Sequence, residues 1–328
     1  MLISKTTKYG KKKTFARRFA DSELGYFFRR HILPWMRLIR LPNVLTAFGD
    51  SLGGACIAAA LNGIELSFWS VLDVCFCSTV LYIFGMIQND WCDLPEDTRL
   101  RPERPLPNHD MPVAAAALVA IACAFVALTL AALTGRTTFI LALLLVVAIS
   151  AYNFKLKHNL ASGSVCMGLC RCLNMMLGVS LVAFTPAIIL PLLGITIYIG
   201  AVTWLADGEN RKHIPTRAVF IPSIALGVSW LITLFFIPGK ALWPAFLPSL
   251  LCIAIAVFFA FWSAKKIYNR SVQPVMMRRF IGLLITLLIP WQTAWILFGA
   301  TSHILLVLAL AVITWLLIKL FSKWIAQS

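Results

Sequence analysis

The chain has 328 residues, 60% of them hydrophobic, with a mean hydropathy of +0.85 and a formal charge of +16. Soluble domains rarely exceed half apolar, so the composition excludes one and requires a membrane. Thread ten crossings from a cytoplasmic N-terminus, and eleven of the 29 Lys and Arg precede the first span, fifteen fall in later cytoplasmic segments, only Arg136 and Lys240 face outward, and Arg171 lies within a span. That asymmetry is a topology signal with an attraction to anionic lipid, and it excludes nucleic acid as the partner.

Residues 1–33 are polar and basic, without the apolar core or cleavage site of a secretory signal. They are expected to form a cytoplasmic segment with an interface-lying helix. Their Arg content also suits an organellar transit peptide, against which Asp21 and Glu23 stand. Residues 34–328 are expected to form a single all-α transmembrane domain of nine to ten helices around a central cavity. Apolar runs near the required length of about 20 residues fall at 42–61, 67–88, 112–134, 137–153, 164–184, 187–206, 218–237, 241–262, 280–298 and 302–321. The run 137–153 is short.

In the first span Asn43, Thr46, Asp50 and Gly53 share one face, and Asp50 lies roughly 12 Å deep. A carboxylate there must meet a partner or a wet cavity, or stay protonated in a structural pair. The second span ends in Tyr82, Gly85, Asn89 and Asp93, again on one face, and leads into NDWCDLPEDTRLRPERPLP. This stretch holds five of the thirteen carboxylates (Asp90, Asp93, Glu96, Asp97, Glu103), then Arg99, Arg101 and Arg104. Pro95 disfavours helix at Leu94, so Glu96 and Asp97 are expected in a turn or a fresh helix start.

Spans three and four are apolar all round and read as lipid-facing or bundle-filling. The fourth ends in Tyr152-Asn153, which puts Lys155 and Lys157 at the cytoplasmic surface. In the fifth, Ser164, Gly168, Arg171, Met175 and Gly178 share a face with Asn174 beside them. Arg171 is at the depth of Asp50 in the same leaflet, so an ion pair and a functional role are both open, and they are compatible. The sixth ends in Asp207-Gly208-Glu209-Asn210, with no other carboxylate after Asp110. Gly208 and Asn210 suggest that the helix has ended, which would let both acids converge; a solvated helix end is the alternative. Arg211, Lys212 and Arg217 repeat the acid-then-base order. Spans seven to ten carry little beyond Pro290-Trp291-Gln292, a kink and an amide in the ninth. The nine cysteines lack metal-site clustering and read as small apolar packers.

Polar faces on spans one, two, five and six imply one cavity in the cytoplasmic half, its mouth lined by two acidic clusters. Facing carboxylates repel unless a cation sits between them, and oxygen ligands favour Mg2+, which takes substrate phosphates as further ligands. Arg and Lys would hold the remaining phosphate oxygens, and an apolar cavity behind would take a lipid tail. The inferred substrate is a long-chain diphosphate.

Asn89-Asp90-x-x-Asp93-x-x-x-Asp97 followed by Arg101-Pro102-x-Arg104-Pro105-Leu106 resembles the first signature of the UbiA family of intramembrane prenyltransferases. Leu38-Ile39-Arg40-Leu41-Pro42 and Tyr152-Asn153 are similar to the family as well. The resemblance implies a bundle of usually nine spans, two Mg2+ ions on two acidic motifs, and prenyl transfer from a prenyl diphosphate to an aromatic or lipid acceptor. It assigns one Mg2+ to Asp90, Asp93 and Asp97 and a second to Asp207 and Glu209, these five acids forming the catalytic set. Arg101, Arg104, Lys155 and Arg171 would grip the diphosphate, with Asp50, Asn89 and Asn174 completing the substrate site. Ala206 stands where the family's second motif usually has lysine, and Arg211 where a last aspartate is common. MGLCRCLNMMLG with a Gly-Glu second motif is similar to the EboC-like subgroup of bacterial gene clusters, which implies a bacterial inner membrane with the site on its cytoplasmic side. Two further functions stay open: a non-catalytic scaffold that binds or transports an apolar small molecule, and an ion-coupled transporter using Asp50 and Arg171. The latter needs inverted repeats, and none is visible.

Overall fold

A computed structural model describes residues 22–207, 217–268 and 274–327, with side chains described at all of these but 207, 274 and 322–327. Every regular element among the described residues is helical. Ten stretches are long and apolar enough to cross a membrane, the upper end of the expected range. The crossings are α1 (Leu41–Asn62), α2 (Phe68–Cys92), α3 (Val113–Thr134), α4 (Arg136–Phe154), α5 (Leu160–Val179), α6 (Ile189–Asp207), α7 (Ile221–Thr233) and α8 (Gly239–Ile267), then α9 (Pro274–Thr286) with α10 (Leu288–Gly299), and α11 (Ile304–Gln327). The ninth crossing is two helices because Pro290 offers no N–H to the carbonyl four residues back, at Thr286, and its ring crowds that carbonyl.

Short helices, Leu33–Leu38 among them, precede α1. Arg40 then takes a left-handed turn (φ 50°), and Pro42 sits in the first turn of α1. Leu24, Tyr26 and Phe27 lie exposed near Arg29 and Arg30, as a segment resting in the lipid interface would require.

α1 and α5 form the centre of the bundle. α1 packs on α2, α5 and α10, and α5 also packs on α4 and α6. Small residues make this possible. A Cβ at Gly54 would run into the carbonyl of Met175, and one at Gly178 into that of Ser51, so the two backbones meet directly. On α3 only Ala116, Ala120, Ala127 and Ala131 are buried, a narrow stripe against α2. α11 is the least buried crossing. The space that matters lies inside the α2–α4–α5 group.

Candidate active site

Pro95 breaks the second helix as its chemistry requires. α2 stops at Cys92, Asp93 caps it, and a short helix Leu94–Leu100 restarts with Pro95 in its first turn. The Asp97 N–H still donates to the Asp93 carbonyl at 2.8 Å, so the chain direction changes little across the break. Asp90 and Asp97 are buried, Asp93 is half-buried and Glu96 is exposed.

Each of the three aspartates meets a cation. The Arg104 guanidinium reaches Asp97 Oδ2 at 2.5 Å and Asp90 Oδ1 at 3.6 Å. Arg40 approaches Asp90 Oδ1 at 3.5 Å, and Lys157 Nζ donates to Asp93 Oδ1 at 2.5 Å. The Asn89 amide donates to Asp90 Oδ1 at 3.3 Å and Asp93 Oδ2 at 3.1 Å, fixing both carboxylates. Arg101 and Lys155 are exposed and take no part in this cluster. Their neighbours Arg104 and Lys157 do, together with Arg40, which sequence reasoning noted only as part of a family-like stretch. α4 delivers Lys157. The Asn153 amide donates to Gly85 O at 3.2 Å and Gln88 Oε1 at 3.0 Å, and Gln88 donates to Ser150 Oγ at 3.2 Å. These buried amides hold the end of α4 against α2, and the turn Leu156–His158 then brings Lys157 over Asp93.

Behind Asn89 a cavity of about 130 Å³ runs inward. Tyr82, Gly85 and Met86 of α2, Leu145, Ile149, Tyr152 and Asn153 of α4, Met167, Cys170, Arg171 and Asn174 of α5, and Arg40 form its wall. The expected lining from spans one, two, five and six is therefore corrected. The fourth span lines the cavity; α1 and α6 contribute no lining residue among those described. Leu145, Ile149 and Met167 are apolar because they face a hydrocarbon-like space, which composition cannot tell from facing lipid.

Asp50 stands outside the cavity, fully buried behind Arg171. Arg171 donates to Asp50 Oδ2 at 2.6 Å and Thr46 Oγ1 at 2.9 Å. Gln292 of α10 donates to Asp50 Oδ1 at 2.6 Å and Thr46 O at 2.7 Å. Asn174 adds a 3.3 Å donation to Asp50 and accepts from Ser78 at 2.8 Å. The Tyr82 ring lies 5.6 Å from the Arg171 guanidinium carbon. Gln292 is the partner that the sequence left unmatched.

Asp207 ends α6, but its side chain and all of Glu209 lie outside the described residues. Among the described residues no three His, Cys, Asp or Glu side chains converge into a closed metal cage. The first motif nevertheless fits Mg2+ as an open site. Its donors are oxygens alone, Asp90 and Asp97 already converge on one cationic group, and Mg2+ completes its shell with water and phosphate.

A ten-span helical bundle with an acidic, cation-collared rim over a largely apolar pocket defines a class: intramembrane proteins that receive an amphiphile with a charged head. The chain belongs to the UbiA prenyltransferase family, whose family model matches residues 51–284. It is 32% identical over 138 residues to a digeranylgeranylglyceryl phosphate synthase of Methanococcus maripaludis, covering 41% of this chain and 47% of the relative. A synthase of the same name from Sulfurisphaera tokodaii is 26% identical over 210 residues, covering 61% of this chain and 72% of the relative. The chain thus spans about half of the first of these curated relatives. The solved structure of a UbiA homologue from Archaeoglobus fulgidus bound to GPP and Mg2+ superposes with a TM-score of 0.51 at 18% identity, over 80% of this chain and 99% of that one. That likeness establishes the fold.

Proposed function

We propose that this chain is a Mg2+-dependent prenyltransferase that moves a prenyl group from a prenyl diphosphate to a lipid or aromatic acceptor. One observation carries it: Asp90, Asp93 and Asp97, the cations Arg40, Arg104 and Lys157, and the pocket walled by Met86, Leu145, Ile149 and Met167 succeed one another along one line. A diphosphate with a hydrocarbon tail matches both ends of that line. The Archaeoglobus homologue bound to GPP and Mg2+ supports the donor and the ion. The two archaeal relatives support a glycerophosphate lipid as acceptor. The charge asymmetry supports a cytoplasmic rim; the bacterial inner membrane rests on the EboC-like resemblance alone.

In this reading Asp90, Asp93 and Asp97 hold the ion, and Asp207 with Glu209 hold a second. Mg2+, when bound, draws off the charge of the departing diphosphate. Arg104 and Lys157 have the reach to turn from carboxylate to phosphate oxygens. The carbon–oxygen bond breaks with its electron pair on the diphosphate, and the acceptor bonds to that carbon and releases a proton. The apolar wall keeps water from the reacting carbon. Nanodisc-embedded protein is incubated with radiolabelled prenyl diphosphates and a panel of glycerophosphate lipids and aromatic acids. Labelled product with Mg2+ and none with EDTA is expected. No product from any acceptor, together with no thermal stabilisation by the diphosphate, removes the reading.

A non-catalytic binding component has one observation in its favour: Arg and Lys already neutralise the rim aspartates. In that case Asp207→Asn with Glu209→Gln leaves cellular function intact, whereas an enzyme loses it.

A further inference from the structure

We propose that the inner end of the cavity is a second anion site, centred on Arg171, which seats the anionic head of the acceptor: a phosphate monoester or a carboxylate. The inference rests on the transferase reading for the word acceptor, but its chemistry stands on the cavity itself. The wall carries two arginines and no carboxylate. The buried ion pair is also oriented. Arg171 lines the cavity while Asp50, its counter-ion, is sealed behind it at 1% exposure. The space therefore meets the positive end of the pair. A purely structural pair has no need of that orientation, since hiding both ends costs no more than hiding one.

The site is also built. Asp50 and Thr46 fix the guanidinium, and Gln292 from the far half of the bundle fixes Asp50 in turn. These contacts use two of its five N–H donors, and its planar fork suits carboxylate or phosphate oxygens. Tyr82, which shares this end of the cavity, precedes Asn89 by seven residues, roughly 10 Å along a helix. An anion here is two turns from the acidic rim. It belongs to a molecule other than a diphosphate held at that rim, and the space between is where donor and acceptor would meet.

The test is equilibrium binding of radiolabelled dodecyl phosphate to the full chain in nanodiscs, in EDTA and again in Mg2+. Unlabelled dodecyl phosphate, dodecanoate and dodecanol serve as competitors. Both anions are expected to compete without Mg2+, and dodecanol about tenfold or more weakly. Arg171→Lys keeps the charge and the Asp50 partner, so the protein folds, but loses the fork; affinity for both anions should fall about tenfold. Asp50→Asn with Arg171→Gln removes both charges and should reduce the anions to the level of dodecanol. Dodecanol competing as well as the anions overturns the proposal, as does unchanged affinity in Arg171→Lys. Binding that appears only with Mg2+ also overturns it, because it assigns the anion to the rim. A protein without prenyl transfer activity that still binds dodecyl phosphate in EDTA would sink the transferase reading and leave this site standing.

Discussion

Arg171→Met tests the centre of the bundle most severely. The substitution keeps side-chain length and removes the guanidinium, leaving Asp50 at 1% exposure with donations from Gln292 at 2.6 Å and Asn174 at 3.3 Å. Removing one partner of a buried pair costs about 3–5 kcal/mol. Two amide donors remain, each contributing about 1 kcal/mol or somewhat more to a charged acceptor. The lower end, about 3 kcal/mol, is therefore expected. At about 2–4 °C per kcal/mol, the apparent melting temperature should fall by about 6–12 °C. Adding Asp50→Asn to the same chain removes the stranded charge and should restore at least half of the loss. The assay is retention of monodisperse protein after heating, by fluorescence-detected size exclusion, for the parent, both single variants and the double variant. If the two single shifts sum to the double shift, the residues are uncoupled and the network described here does not hold the bundle together.

Asp90→Asn or Asp93→Asn should lower prenyl transfer about a hundredfold or more, measured as labelled product per unit time. Lys157→Met should raise the KM for the prenyl diphosphate about tenfold, whereas Lys155→Met, whose side chain is exposed, should change it less than about twofold. Gly178→Leu drives a side chain into the Ser51 carbonyl and should abolish the yield of monodisperse protein. Gly282→Ala, with nothing within 4 Å of the added methyl, should leave the yield unchanged or slightly higher.

The crossings were legible because hydrocarbon thickness imposes length and apolarity on every span alike. The start of α5 was read four residues late, at 164 for Leu160. Asn159 caps that helix, accepting from Ala161 N and Ser162 N, and such a cap is visible in sequence. Asp50 and Arg171 were legible as a possible pair because two opposite charges at equal depth have few alternatives. Gln292 was not, since its contact with Asp50 spans 242 positions and no local pattern announces it. Lys155 and Lys157 could not be told apart either. α4 ends at Phe154, and the short turn that follows, not helical spacing, decides which lysine faces Asp93. The inward face of α4 was hidden most completely, because a cavity built for a hydrocarbon tail demands the same residues as a surface built for lipid.

The charge balance at the rim implies an order of binding. Asp90, Asp93 and Asp97 are held by Arg40, Arg104 and Lys157, so Mg2+ arriving alone must break those pairs and strand the displaced side chains. Mg2+ arriving with a diphosphate does not, because the phosphate oxygens give Arg104 and Lys157 new partners as the carboxylates turn to the ion. The ion and the diphosphate should therefore bind cooperatively, and by linkage each must raise the affinity for the other by the same factor. A coupling of about 1–3 kcal/mol corresponds to a roughly 5- to 150-fold shift. Thermal stabilisation by Mg2+, titrated with and without saturating inorganic diphosphate, reads that shift directly, and Lys157→Met should shrink it by removing one of the exchanging cations. Saturation by Mg2+ at the same concentration in both titrations would mean that the basic side chains do not compete with the ion, and the collar would then have to be explained by packing alone.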